Sequence, residues 1–209
     1  FGMVRADDTT NRREFRMKIG ILVSGEGTNL DSIHRSGIPI SVVIADRPCL
    51  ALHKAQGYRI RRELVPRSDF TAAFDEYRSV YTRRLLRVLK MYDVELVVMA
   101  GFMTLLSAVF FERYPERVLG IHPSRLPLFK GKHAVRDTLA AKPRQIITGS
   151  TVYVATREVD EGKVLLQSSV PVYANDTAAT LTARIKEAEH KLYPAAIKGY
   201  LMSIEPSAP

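Results

Sequence analysis

Short apolar runs of strand length alternate with helix-like segments between residues 18 and 145 of the chain. Most of these runs are continuously apolar, which is typical of strands buried on both faces. Strands that alternate with helices indicate a mostly parallel sheet flanked by helices. The sequence therefore predicts an α/β fold whose ligands bind beyond the carboxyl ends of the strands. The predicted parallel strands are residues 18–23, 40–45, 59–66, 95–100 and 118–122.

The carboxyl-terminal part of the chain has a different pattern. Residues 146–155 and 163–173 are strand-like and joined by a polar loop, which predicts an antiparallel strand pair near the C-terminus. Helices are predicted at 50–56, at 133–141 and from Asp176 or Thr177 onward, where Pro194 should kink or interrupt the last helix. A longer helix should begin near Asp69 and bury one apolar stripe, formed by Phe70, Phe74, Tyr77, Tyr81, Leu85 and Val88.

The composition is that of one globular domain. The chain has 209 residues, of which 46% are hydrophobic, enough for a single core. Residues 18–209 are expected to form that domain, and residues 1–17 a flexible arm or the remnant of a tag. No apolar run is long enough to span a bilayer. One cysteine, Cys49, excludes an intramolecular disulfide and, with no secretory signal, predicts a reducing, cytoplasmic location.

The formal net charge of +9 favours anionic partners. The basic residues are scattered and form no tract with interleaved aromatic residues, which is typical of solvated helix faces. Small anionic ligands are therefore expected, and nucleic acid is not. With one cysteine and five histidines, the sequence also has no pattern of a metal site.

A glycine-rich turn follows the first predicted strand. Its sequence, Ser24-Gly25-Glu26-Gly27-Thr28-Asn29, precedes apolar residues at helical spacing, and a strand, turn and helix in this order present N–H groups to a phosphate. The P-loop motif is absent, since no Gly-Lys-Ser/Thr follows. The dinucleotide fingerprint is incomplete because Leu30 replaces its third glycine, although Asp46 could still hold a ribose. A phosphate-monoester site, a dinucleotide site and a purely structural turn stay open as interpretations.

His122 ends an apolar run, in the sequence VLGIHPSRLP. Pro123 and Pro127 stiffen the backbone after it, and a proline also restrains the residue before it. A histidine at the carboxyl end of a buried strand suits proton transfer, because histidines titrate near neutral pH. It could equally serve hydrogen bonds in a turn. The apolar loop 101–106 also has two interpretations, a wall for an aromatic ligand or a cover for the sheet edge.

Five motifs in order give the chain a resemblance to a known family. They are SGEGTNL, VELVVMAGFMTLLS, GIHPSRLP, EVDEGKVLLQ and EAEHKLYP, and they extend from about Lys18 to Ile204. Together they resemble the phosphoribosylglycinamide formyltransferases, folate-dependent enzymes of purine synthesis. The resemblance implies a Rossmann-like formyltransferase fold. It also implies formyl transfer from the co-substrate 10-formyltetrahydrofolate to the amine of glycinamide ribonucleotide. We therefore expect small-molecule partners, no metal, and a monomer or homodimer.

The resemblance assigns site residues by their positions in the matching motifs. His122 and Asp160 match catalytic residues, and Glu189 matches a carboxylate near the ribonucleotide amine. The matches to the ribonucleotide site are Gly27, Thr28 and Asn29 in the phosphate loop, and Lys186, Glu187, Ala188 and Glu189. The matches to the folate site are Met103, Thr104, Leu105, Leu106, Gly120, Thr156, Arg157, Glu158, Val159 and Asp160.

The chain departs from the family pattern at four positions. Gly120 stands where the family has the asparagine of Asn-Ile-His-Pro-Ser, and Tyr153 stands where a histidine is common. Thr104 replaces a common arginine of the folate loop, and an arginine near the start of the long helix has only Thr71 as its equivalent. Because loss of one oxyanion donor lowers kcat by about 10²–10³, we expect retained binding, slow turnover and a gain from Gly120→Asn.

Other functions fit parts of the sequence. A folate- or nucleotide-binding homologue without transfer activity would account for Gly120 and Tyr153, whereas His122 and Asp160 favour an enzyme. A formyltransferase acting on initiator methionyl-tRNA fits the positive charge, but few residues follow the last helix to hold RNA. A deformylase of formyl-folate fits less well, since Pro123 stands where that family has a second histidine.

Overall fold

The computed structural model describes residues 15–67 and 74–204. Within these residues one sheet contains seven strands, namely β1 (Ile19–Val23), β2 (Val42–Ala45), β3 (Arg61–Leu64), β4 (Leu96–Met99), β5 (Val118–His122), β6 (Ile147–Val154) and β7 (Val164–Pro171). The helices of the same ranges are α1 (Thr28–Arg35), α2 (Leu50–Gly57), α3 (Phe74–Met91), α4 (Ala108–Arg113), α5 (Ala134–Ala140) and α6 (Ala178–Ile204).

The strand order is β3-β2-β1-β4-β5-β6-β7. Strands β1 to β5 are parallel, whereas β6 runs antiparallel to both β5 and β7. This confirms the predicted α/β class, with a mostly parallel sheet and an antiparallel strand pair near the C-terminus. The order of the parallel strands reverses between β1 and β4. In open α/β sheets, ligands bind at such a reversal, beyond the carboxyl ends of the strands.

Both faces of the central strands are buried, which explains why β1, β2 and β4 are continuously apolar, whereas the edge strand β3 is exposed and charged. Ile19, Ile21 and Val23 of β1 face the layer that contains α1, α2 and part of α6. Leu22 of the same strand faces the layer that contains α3 and α4. Because alternate side chains of one strand serve opposite layers, a polar residue on either face would be buried without water.

The predicted helix stripe is partly described. Tyr81 and Leu85 of α3 are fully buried in the core, and Val88 packs at its margin. The expected start of this helix at Asp69 and its residue Phe70 lie outside the described residues, as does Thr71. Most of the predicted arm, residues 1–14, lies outside them as well.

Two features of the helices were not predicted correctly. The segment Ala108–Arg113 forms α4, although no element was predicted there. Pro194 does not interrupt the last helix, which runs from Ala178 to Ile204. Pro194 is buried, and continuing the helix keeps Tyr193, Ile197 and Leu201 in the core. That burial outweighs the single backbone hydrogen bond that a proline cannot donate.

The turn after β1 depends on Gly27. Its φ of 74° lies in the left-handed region, and a Cβ there would be 2.8 Å from the Ala51 Cβ and 3.0 Å from its Cα. Glycine therefore lets the turn approach the start of α2, and it sets the direction in which α1 leaves the sheet.

We expect Gly27→Ala to lower the free energy of unfolding by about 1–3 kcal/mol, because it adds backbone strain and a contact with Ala51. The matched control is Gly25→Ala in the same turn, where an added Cβ meets nothing within 4 Å. That variant should stay within about 0.5 kcal/mol of the wild type. Urea unfolding of both variants measures the difference, and equal stabilities would contradict the assignment.

Candidate active site

His122 and Asp160 meet at the carboxyl edge of the sheet. His122 is the last residue of β5, and Asp160 lies in the loop between β6 and β7. The His122 Nδ1 is 3.3 Å from the Asp160 Oδ2. Both residues are buried, with 5% and 7% of their surfaces exposed. Strand β6 pairs antiparallel with β5 from Thr151, opposite His122, to Val154, opposite Leu119, so the loop after β6 folds back to bring Asp160 to the histidine.

Asp160 accepts hydrogen bonds from two further donors. The Tyr153 hydroxyl donates to Oδ1 at 2.9 Å, and the Gly131 N–H donates to Oδ2 at 2.7 Å. The φ of Asp160 is 58°, a left-handed conformation that aspartate tolerates better than most residues. Donors from β6, from the loop 123–133 and from β5 thus hold one carboxylate, and a buried carboxylate needs such partners.

Both ring nitrogens of His122 face acceptor oxygens. Nε2 lies 2.8 Å from the main-chain carbonyl of Phe129, which can only accept a hydrogen bond, so Nε2 carries a proton. Nδ1 faces the Asp160 carboxylate, which also accepts. Only the imidazolium form donates to both partners at once. In this form the His122 ring can act as a proton donor.

The ring of Tyr153 fills the space beside Gly120. These two residues are direct partners across β5 and β6. A Cβ on Gly120 would be 2.9 Å from the Tyr153 Cζ and 3.0 Å from its Oη. An asparagine at this position, which the resemblance leads one to expect, would need the volume that the tyrosine occupies.

The glycine-rich turn after β1 and the start of α1 contact α6. Thr28 and Asn29 are the first residues of α1, where N–H groups lack helical partners. The Asn29 side-chain amide donates to the Glu189 Oε2 at 2.9 Å. The Lys186 Nζ is 2.9 Å from the Glu26 Oε2. The two predicted ribonucleotide segments, Gly27–Asn29 and Lys186–Glu189, therefore lie side by side.

Glu189 is a buried carboxylate with few partners. Burial raises its pKa above the ordinary value, against the opposing effects of the Asn29 amide, Lys186 and Ser150. Ser150 belongs to β6 and precedes Thr151, whose backbone pairs with His122. Contacts therefore lead from the glycine-rich turn through Glu189 to the strand beside the histidine.

The predicted folate loops are partly exposed. Met103 and Leu105 are 70% and 46% exposed, whereas Leu106 is buried. The Met103 N–H donates to the Ser24 hydroxyl at 2.9 Å, which ties this loop to the turn after β1. The other predicted folate loop contributes four exposed residues, Thr156, Arg157, Glu158 and Val159, in addition to the buried Asp160.

The Thr104 side chain is buried and contacts Asp46, so it is not part of the exposed surface of its loop. Its hydroxyl donates to the Asp46 Oδ2 at 2.6 Å. Burial alone would raise the pKa of Asp46, but hydrogen bonds from Arg47, Thr104 and Ser24 hold it below its ordinary value. Asp46 is fully buried by these partners. It is not available to a ribose, so the dinucleotide interpretation loses its acidic residue.

Three partners of the His122–Asp160 pair were not found from the sequence. Gly131 and Phe129 act through main-chain atoms, for which the sequence has no side-chain signal. Tyr153 was noticed only as a departure from a family pattern. Its position opposite Gly120 depends on the antiparallel pairing of β5 with β6, which the sequence does not predict.

Comparisons with known proteins decide the family. A family model described as formyl transferase matches residues 17–197. The chain belongs to the formyl transferase family. Its relatives include the phosphoribosylglycinamide formyltransferase of Escherichia coli, which is 35% identical over 88% of this chain and 87% of the relative. This confirms the resemblance found from the five motifs.

Longer relatives match over only part of their length. The trifunctional purine biosynthetic proteins adenosine-3 of Gallus gallus and Homo sapiens are 36% and 35% identical over 88% and 90% of this chain. The chain spans 18% and 19% of their lengths.

Solved structures of this formyl transferase group share the fold. Glycinamide ribonucleotide transformylase 1 from Symbiobacterium toebii has a TM-score of 0.82 and 34% identity over 91% of each chain. The phosphoribosylglycinamide formyltransferase from Brucella melitensis has a TM-score of 0.80 and 35% identity, over 92% of this chain and all of the other. The Rossmann-like formyltransferase fold that the resemblance implied is thereby confirmed.

Two kinds of feature are absent from the described residues. Among residues 15–67 and 74–204, no helix has the length and apolar character needed to cross a membrane. The same residues contain no group of three or more histidine, cysteine, aspartate or glutamate side chains that could hold a metal ion.

We expect Glu189→Gln to stabilise the ligand-free protein increasingly as pH rises. Because the pKa of Glu189 is raised from 4.5, the folded state keeps this proton at pH values where the unfolded chain has lost it. The free energy of unfolding of the wild type therefore falls as pH rises through that window, and the variant lacks this loss. Urea unfolding at several pH values measures this, with Glu187→Gln at an exposed neighbour as the control, and the same pH response in both variants would contradict the prediction.

Thr104→Val should lower the free energy of unfolding by about 1.5–3 kcal/mol at neutral pH, because it removes a hydrogen bond to a buried charge. The lowered pKa of Asp46 supplies stability above the ordinary aspartate range, and that contribution disappears as pH falls through the lowered value. The effect of Thr104→Val should shrink in the same direction. Thr156→Val, at an exposed threonine, is the control, and equal losses in chemical unfolding would refute the role of Asp46.

Proposed function

We propose that the protein transfers a formyl group from 10-formyltetrahydrofolate to the amine of glycinamide ribonucleotide. The observation that carries this proposal is the buried His122–Asp160 pair at the carboxyl edge of the sheet. Membership in the formyl transferase family supports the reaction type, and relatives named for glycinamide ribonucleotide support the substrate.

The ribonucleotide binds, in this proposal, along the turn after β1. Gly27, Thr28 and Asn29 supply N–H groups at a helix N-terminus, which favours a phosphate. Lys186 adds a positive charge beside the same turn. Glu189 is placed to accept a hydrogen bond from the glycinamide amine, and its raised pKa reflects a buried carboxylate that such a donor would partner. Fixing the phosphate orients the amine for attack.

The chemistry centres on His122. The amine attacks the formyl carbon, and negative charge develops on the formyl oxygen. In this proposal that oxygen takes the position now held by the Phe129 carbonyl, 2.8 Å from the protonated Nε2. His122 then passes a proton to the departing folate nitrogen. Asp160 stabilises the imidazolium and helps to collect the proton that the amine loses.

The formyl-folate lies against the loops that follow β4 and β6. Met103 and Leu105 offer exposed apolar surface for an aromatic ring. We assign Thr104 and Leu106 to the support of that loop, because both side chains are buried. Residues 156–160, together with Gly120, complete the folate side.

The remaining parts of the proposal are less specific to the site. Residues 18–209 act as one domain on small-molecule substrates in the cytoplasm, as a monomer or homodimer and without a metal ion. Formyl transfer of this kind needs no covalent enzyme intermediate, since the amine itself is the nucleophile.

The proposal predicts that purified protein converts glycinamide ribonucleotide and 10-formyltetrahydrofolate to the formylated ribonucleotide, detected by mass spectrometry. His122→Ala and Asp160→Asn should each lower kcat by about 10²–10⁴, because each removes a group that handles a proton. His53→Ala, on the exposed side of α2, is the control and should keep wild-type kcat.

The same assay separates the alternatives. Binding of both substrates by calorimetry without any product would favour a binding homologue over an enzyme. Product that persists undiminished in His122→Ala would contradict the assigned proton donor.

A further inference from the structure

The Tyr153 side chain lies in the space that any side chain at position 120 would need. A Cβ on Gly120 would be 2.9 Å from the Tyr153 Cζ and 3.0 Å from its Cε1. These are ring atoms of a residue that is only 7% exposed. Moving the ring aside would therefore disrupt the close packing around it. Gly120 and Tyr153 are therefore one packing unit, formed across β5 and β6.

The backbone around Tyr153 is adapted to this ring. The register of β6 with β7 is irregular between Val152 and Tyr153, and such bulges redirect side chains beside active sites. Gly162, in the loop that leads to β7, packs against the Val154 backbone, since an added Cβ would be 1.7 Å from the Val154 carbonyl oxygen and 3.2 Å from the Tyr153 Cδ2. The loop after β6 is thus held closely against the end of the strand that carries Tyr153.

The Tyr153 hydroxyl points at the catalytic carboxylate. It donates to the Asp160 Oδ1 at 2.9 Å, while the other oxygen, Oδ2, faces His122 and the Gly131 N–H. Burial, and then the charge of Asp160, raise the pKa of Tyr153 well above its ordinary value. The phenol therefore stays neutral and remains a donor throughout the physiological range.

We propose that Tyr153 is a positioning residue for the His122–Asp160 pair, and that Gly120 lacks a side chain so that this phenol can reach Asp160. The inference rests on the formyl transfer proposed above and deepens it. By fixing Oδ1, the hydroxyl fixes which carboxylate oxygen faces the imidazolium. Its single proton is committed to Asp160, so Tyr153 acts on the reaction through that residue and not on the formyl oxygen directly.

Tyr153→Phe tests the hydroxyl while keeping the ring. We expect kcat to fall about 10- to 100-fold, the rate equivalent of one hydrogen bond to a charged group, with KM for both substrates unchanged. The matched control is Tyr114→Phe, which removes another buried phenol that donates to a main-chain carbonyl, that of Val94. If both variants lose the same small factor in kcat, Tyr153 is merely structural and the proposal is wrong.

A second experiment tests the coupling of positions 120 and 153. Gly120→Asn alone should lower both kcat and the melting temperature, because the new side chain displaces the ring from Asp160. This reverses the gain that the sequence alone predicts. Gly120→Asn combined with Tyr153→His, the pair that the resemblance leads one to expect, should lose less than Gly120→Asn alone. A fully active and stable Gly120→Asn single variant would overturn the proposal.

A spectroscopic readout separates this inference from the proposed function. In protein labelled with ¹⁵N at histidine, the Nδ1 resonance of His122 should shift in Tyr153→Phe and stay in place in Tyr114→Phe. If the wild type forms no product but this resonance shifts, the proposed reaction fails and the positioning role stands. If the resonance is the same in both variants, the positioning role fails whatever the activity.

Discussion

The buried carboxylate of Asp160 is the interaction on which the candidate active site depends. It receives Tyr153 from β6, the Gly131 N–H from the loop after β5, and His122 from the end of β5. A carboxylate taken out of water without such donors would be strongly destabilising. Asp160 therefore holds these three segments together at the candidate site. The exposed Lys130–Glu161 pair also joins the loop after β5 to the loop after β6.

Two buried carboxylates near the glycine-rich turn have opposite effects on stability. Asp46 is buried with several donors, and its lowered pKa shows that the folded protein favours the charged form. Glu189 is buried with one amide donor, and its raised pKa shows the opposite preference. The first carboxylate supports the fold, whereas the second is retained at a cost in stability. Natural binding sites often carry such a cost, because the missing partner arrives with the ligand.

The fold could be predicted from the sequence because both faces of the central strands are covered. That burial requires continuous apolar strands, which are recognisable in β1, β2 and β4, and the intervening helices follow from their spacing. The short helix α4 was missed since its apolar residues continue those of the preceding loop. Pro194 does not interrupt the last helix, because burial of the residues around it stabilises the helix more than the proline destabilises it.

The site was predictable only where a side chain carries the signal. His122 and Asp160 follow from motifs, and the structure brings them to 3.3 Å. The Phe129 carbonyl and the Gly131 N–H could not be foreseen, because every residue has these groups and only the path of the loop selects them. Gly120 was interpreted as a missing donor. In the structure it is half of a contact whose other half, Tyr153, lies across the sheet.

The carbonyl of Phe129 is an acceptor within the chain for the His122 proton. A tethered acceptor competes with every incoming molecule at an effective concentration that free solutes rarely reach. Water or a poorly seated ligand gains little by replacing it, since one hydrogen bond is exchanged for another. A molecule that is also bound by other parts of the site can replace the carbonyl more readily, because that binding raises its effective concentration near His122. In the proposed reaction, binding of the rest of the formyl-folate therefore helps its formyl oxygen to replace the Phe129 carbonyl.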